Sequence, residues 1–90
     1  MQPIPFIDAA AIRAAVPPAE LLDAVEAAFR DVAAGRDRSP LRTHVALEGG
    51  DLLLMPGLRE GGLGSTVKLV TIVPDNAGRG VPTVQAVVTW

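Results

Sequence analysis

Apolar positions change their period once along this chain, near residue 35, and the change predicts helices before it and strands after it. In the first part Asp8 precedes an Ala-rich stretch. It can accept from the free amides of a short helix over about 9–15, which the Pro17-Pro18 pair ends. Pro18 then suits the first turn of a second helix. Leu21, Val25, Ala28, Phe29 and Val32 recur at i, i+4, i+7, i+8 and i+11 as one apolar stripe, and Gly35 is a natural stop. Glu20, Asp23, Glu26 and Arg30 fall mainly off the stripe and read as a solvated face. Glu26 and Arg30 form an i, i+4 pair worth about 0.3 kcal/mol.

Beyond the polar connector Gly35-Arg36-Asp37-Arg38-Ser39-Pro40 the period falls to 2. Leu41, Thr43, Val45 and Leu47 alternate with Arg42, His44 and Ala46, a strand signal. Glu48-Gly49-Gly50-Asp51 turns the chain into Leu52-Leu53-Leu54-Met55 as a hairpin, and Pro56 with the Gly-rich 57–64 region ends that strand. A third strand is expected over 65–73, a nine-residue loop over 74–82, and a fourth strand over 83–90. Helices followed by strands on short turns, with no βαβ alternation, predict an α+β domain: two N-terminal helices packed on a mostly antiparallel sheet. Trp90 stands within an apolar run with no turn or cap after it, so 1–90 is expected to be part of a domain whose strand continues.

Composition narrows the function. A net charge of −2 and three aromatics (Phe6, Phe29, Trp90) in 90 residues supply neither a basic face nor stacking platforms for nucleic acid. With 49% apolar residues the chain is one folded unit, but so short a unit buries only about 60–65% of its unfolded surface and gains from a partner. The absence of cysteine excludes disulfides and thiolate metal sites and fits a reducing compartment. No signal-peptide pattern or membrane-length apolar run occurs, and the protein reads as soluble and cytoplasmic.

Against that bland background one charge stands out. Lys68 is the only ionisable side chain between Leu63 and Val73, on a run whose two alternating faces (Thr66, Val70, Ile72 and Val67, Leu69, Val73) are both built to be covered. An ammonium there meets an anion, reaches water along its own stem, or costs several kcal/mol, roughly. Arg42 stands on another predicted strand, and a guanidinium with an ammonium is chemically apt for gripping an organic carboxylate. The competing reading makes Arg42 a surface residue beside Arg36 and Arg38, and Lys68 a charge that protects a sheet edge.

His44 shares the Arg42 face and is a candidate proton carrier or ligand contact. Without a second His or any Cys it does not suggest a metal site. Met55 reads as a pocket wall or core filler. Arg79 and the glycines of the 74–82 loop could receive a phosphate, but no G-x-G-x-x-G or Walker pattern occurs.

Four segments together, AVEAAFRDVAAG, PLRTHV, DLLLMPG and VKLVTIVPDNAGRGVPTVQAVV, resemble the N-terminal third of the ornithine cyclodeaminase/mu-crystallin family. The specific part is K-x-V-x-x-x-P-x-N-x-x-x-G-x-P-T-V, from Lys68 to Val84. The resemblance implies a substrate-binding and homodimerising domain, followed in the family by a Rossmann domain for NAD or NADP that this sequence does not include. It implies oxidoreductase or lyase chemistry: hydride transfer at the α-carbon of an amino acid, imino acid or cyclic ketimine. By the same resemblance Arg42 and Lys68 match the residues that hold the substrate carboxylate, Met55 a pocket residue, and Thr83 a threonine near the nicotinamide cofactor.

No carboxylate here matches the acid that handles the substrate nitrogen, so no catalytic acid is expected in this chain. Leu53 stands where the ornithine-specific enzyme has a glutamate for the distal amine, which points to a substrate with a small or apolar side chain. Two further readings remain: a non-catalytic binder of small carboxylates, as in some mu-crystallin relatives, and an interaction module pairing through a sheet edge.

Overall fold

The computed structural model describes residues 1–61 and 64–90. Leu63, with which the Lys68 run was taken to begin, and Gly62 lie outside the described residues. Two compact units divide the chain, Met1–Ala34 and Gly35–Trp90.

The first unit holds α1 (Ala9–Ala15) and α2 (Pro18–Ala33). Asp8 caps α1 as its sequence position requires: its backbone is extended and its carboxylate accepts from the Ala11 amide at 2.9 Å. In α2 Pro18 occupies the first turn, where its missing N–H is no loss, and the Arg30–Glu26 pair closes at 2.7 Å on an exposed face. Gly35 follows with φ 74, the left-handed conformation that ends a helix most readily with glycine. No helix among the described residues is long and apolar enough to cross a membrane.

The second unit is a four-stranded antiparallel meander, β1 (Thr43–Leu47), β2 (Gly50–Leu58), β3 (Ser65–Ile72) and β4 (Val84–Thr89), in that spatial order. The β1–β2 hairpin turns at Glu48-Gly49, with Gly49 at φ 81, while Gly50 already belongs to β2. Val70, in the middle of β3 between Leu53 and Ala86, is the buried apolar side chain at the sheet's centre.

Three of the departures from the expected elements trace to a proline. β2 does not stop at Pro56 but runs through it to Leu58. Pro56 pairs with Val67 of β3, and on its other side β1 has not begun, so the absent amide disrupts no ladder there. For the same reason β1 starts at Thr43 rather than Leu41: the register that sets Thr43 opposite Leu54 would put Leu41 opposite Pro56, which has no N–H to offer. The expected 74–82 loop contains a 3-10 helix, Pro74–Arg79, begun by a proline whose fixed φ suits a first turn and closed by Gly80 at φ 72.

Candidate functional site

Alternation along paired strands places Asp51, Leu53 and Met55 of β2 on one face with Thr66, Lys68, Val70 and Ile72 of β3 and Val84, Ala86 and Val88 of β4. Met55 pairs with Lys68, and Lys68 with Val88. Carrying the β1 register back one residue sets Arg42 opposite Met55. Arg42, Met55, Lys68 and Val88 therefore form one row across the sheet. With neighbouring strands about 4.8 Å apart, the backbones of Arg42 and Lys68 are separated by roughly 10 Å, a gap that two long side chains can close over Met55.

That row lines an open cleft of about 660 Å³ with Asp37, Ser39, Pro40, Leu41, Pro56 and Thr66. Both cations are exposed, and neither has a hydrogen bond or ion pair among the described residues. Of the outcomes open to it, the Lys68 ammonium thus reaches water, and no described side chain supplies it with an anion. The cleft carries two positive charges and one negative, Asp37, which leaves net charge for one carboxylate.

The near wall of the cleft is a feature that sequence reasoning passed over as a connector. Residues 36–39 lie antiparallel along the end of β2: the Arg38 amide donates to the Leu58 carbonyl at 2.7 Å, the Glu60 amide to the Arg36 carbonyl at 2.9 Å, and the Leu58 amide to Ser39 Oγ at 3.0 Å. Arg38 and Glu60 pair across it. Asp37 accepts from the Ser39 amide at 2.8 Å, an Asx turn, and the Ser39 side chain and amide together hold the Asp37 carboxyl below the usual carboxylate range. Asp-x-Ser-Pro was the readable signal for this turn.

His44 is one alternation further along the same face, where its Nε2 lies 2.5 Å from Asp51 Oδ1. The pair lines a second concavity of about 380 Å³ with Arg42, Leu53 and Ile72. Arg42 thus borders both hollows. Among the described residues no group of three His, Cys, Asp or Glu side chains could hold a metal ion.

Thr83 is not brought to this cleft. It precedes β4 at the end where Val84 meets Ile72, five residues and roughly 17 Å along the strand from Val88. It is half-buried, and its carbonyl accepts from the Val73 amide at 2.8 Å. Its hydroxyl makes no hydrogen bond among the described residues. Arg79, the phosphate candidate, donates to the Asn76 side chain.

The profile of the ornithine cyclodeaminase/mu-crystallin family matches residues 6–90. The chain belongs to this family. It is 38% identical over 89 residues to a Delta(1)-pyrroline-2-carboxylate/Delta(1)-piperideine-2-carboxylate reductase of Azospirillum brasilense, covering 99% of this chain and 28% of that protein. Among solved structures it resembles an archaeal alanine dehydrogenase dimer with bound NAD (TM-score 0.76, 34% identity, 86% of this chain and 23% of that one). It also resembles the Thermococcus litoralis Delta(1)-pyrroline-2-carboxylate reductase in complex with NADH and L-proline (TM-score 0.75, 33% identity, 81% and 23%). The chain spans about a quarter of the length of the relatives it matches.

Proposed function

We propose that this chain is the substrate-gripping part of an NAD(P)-dependent enzyme that moves a hydride to or from the α-carbon of a small amino acid, imino acid or cyclic ketimine. The observation that carries the reading is the row Arg42–Met55–Lys68: two cations on one sheet face, neither paired among the described residues, with an apolar residue between them. A carboxylate placed there takes two parallel bonds from the guanidinium and a point charge from the ammonium. Anchoring the acid group fixes the adjacent α-carbon and removes the orientational freedom a transfer step would otherwise lose. The ammonium adds a field that favours charge developing near it, with no proton transfer required of it.

The nicotinamide group, when bound, supplies the hydride chemistry. No glycine-rich strand-to-helix turn exists among the described residues to cradle a dinucleotide. By the family resemblance Thr83 matches a threonine near the nicotinamide cofactor, and its half-buried hydroxyl, without a hydrogen bond among the described residues, is open to such a contact. Leu53 and Ile72, beside Arg42, favour a substrate with a short or apolar side chain. A cytoplasmic homodimer completes the proposal, the second element resting on the dimeric alanine dehydrogenase relative.

Calorimetric titration with L-alanine, L-proline and 1-pyrroline-2-carboxylate, with NAD(P)H turnover measured on the protein as its gene encodes it, tests the reading. Acid binding and turnover are expected, with Arg42→Ala and Lys68→Ala each losing about 10- to 100-fold in acid affinity, the range for a hydrogen bond to a charged group. Acid affinity unchanged in both variants would overturn the grip. Binding without turnover would favour the non-catalytic binder.

A further inference from the structure

The connection from β3 to β4 contains Asn76, a polar side chain only 6% exposed, in a region where every other polar residue reaches solvent more freely. A buried carboxamide must both donate and accept, and this one does. Its Nδ2 donates to the Pro82 carbonyl at 3.2 Å and its Oδ1 accepts from the Arg79 guanidinium. Its backbone is tied as well: the Asn76 amide donates to the Val73 carbonyl at 3.0 Å, and the Asn76 carbonyl accepts from the Val81 amide at 3.0 Å.

These bonds close a circuit around Thr83. The Pro82 carbonyl belongs to the peptide plane before the Thr83 α-carbon, and the Thr83 carbonyl, which accepts from the Val73 amide, belongs to the plane after it. Holding two rigid planes on either side of one α-carbon fixes both of its soft dihedrals and hence the direction of its Cα–Cβ bond, which narrows where the β-branched side chain can put its hydroxyl. One plane is held by Asn76; the other by Val73, the same residue on which Asn76 is anchored.

We infer that Asn76 is a positioning residue, fixing Thr83 through the Pro82 carbonyl in the place from which its hydroxyl meets the nicotinamide cofactor. The inference rests on the proposed reading of the chain and extends it to a residue that touches neither substrate nor cofactor. Aspartate at the same position is isosteric and keeps an acceptor for Arg79 but cannot donate to Pro82. Asn76→Asp therefore removes the donor to Pro82 and sets a carboxylate oxygen against that carbonyl while Arg79 keeps its acceptor, and it keeps the question answerable if Asn76→Ala does not fold.

Both variants are made in the protein as its gene encodes it. NADH and NADPH affinity is read by nucleotide fluorescence, acid affinity by calorimetry, folding by the melting transition, and the Thr83 amide by NMR. The expected result is about a tenfold loss of cofactor affinity in Asn76→Asp, the size of one lost hydrogen bond, with a shifted Thr83 amide and acid affinity within about twofold. Unchanged cofactor affinity would overturn the inference. So would a parallel fall of both affinities with the melting temperature, which marks a merely structural residue. Wild-type protein that binds acids but no nicotinamide nucleotide overturns it while leaving the carboxylate grip intact. Acid binding indifferent to Arg42→Ala and Lys68→Ala removes the underlying reading and the inference with it.

Discussion

The two ends of the sheet treat polar groups in opposite ways. At the end where β2 and β3 approach the connector, Arg42 and Lys68 project from one face, in one row on either side of Met55, with no partner among the described residues. At the other end, where β3 passes into the 3-10 helix, Asn76 is buried with its carboxamide oxygen and nitrogen both bonded, and Arg79 is spent on it. A solvent-exposed cation with no partner among the described residues is free to meet a ligand from outside the chain, whereas a fully met buried amide stiffens the chain itself. One end is arranged to bind, the other to hold.

The sharpest way to break that contrast is to ask each end for the other's property. Lys68→Met, which keeps an unbranched stem and deletes the charge, is expected to lose about 10- to 100-fold in carboxylate affinity while the melting temperature stays level or rises, because no partner of the ammonium is orphaned. Asn76→Leu should do the reverse. It leaves the Pro82 carbonyl and the Arg79 guanidinium without their partner and is expected to cost about 2–3 kcal/mol in chemical denaturation, with acid affinity retained in the folded fraction. If Lys68→Met destabilises as much as Asn76→Leu, the cation is structural and the contrast fails.

How far the sequence foretold these ends depends on whether the controlling interaction was local. The Asp8 cap, Pro18 at the start of α2, the Gly35 stop and the glycine turn before β2 are decided by a few neighbouring residues, and all were legible. Lys68 was legible as an anomaly, and the Arg42–Met55–Lys68 row follows once the register is known. The register itself was not: Pro56 reads as a breaker unless one knows that β1 begins only past the position opposite it. The wall at 36–39 and the Asn76 circuit depend on contacts across 22 and 6 residues, to Glu60 and Pro82, which no local pattern announces. The pattern from Lys68 to Val84 that carries the family resemblance contains Asn76, Pro82 and Thr83, but as a motif it says nothing of the bonds among them.

A smaller effect probes how tightly the strands beneath the cleft are drawn together. A Cβ on Gly50 would collide with the Ile72 backbone carbonyl, whereas one on Gly57 would meet the Thr66 hydroxyl, which can rotate away. Gly50→Ala is expected to cost about 1–3 kcal/mol by overpacking, and Gly57→Ala distinctly less, in paired urea denaturation curves. Equal costs would mean that the end of β2 near the cleft is as rigid as the hairpin end, contrary to a site open on that side.

The least perturbing probe is the one carboxylate that lines the cleft. Hydrogen bonds from the Ser39 side chain and amide hold the Asp37 carboxyl below its ordinary value of 3.8. A group whose folded value is depressed contributes stability that is complete above the unfolded value and is lost as pH falls through the folded one. The cleft therefore keeps its counter-charge to lower pH than an ordinary aspartate would, and between the two values the folded state holds fewer protons than the unfolded chain. Carbon-detected NMR titration should place the Asp37 midpoint below 3.8. Ser39→Ala, which spares the amide bond, should move it part of the way back. Asp37→Asn, by removing the negative charge beside Arg42 and Lys68, should tighten carboxylate binding by about twofold at low salt and by less as salt rises, because the groups are exposed to solvent and screened. Tighter binding that persists at high salt would place the carboxylate deeper than this open cleft allows.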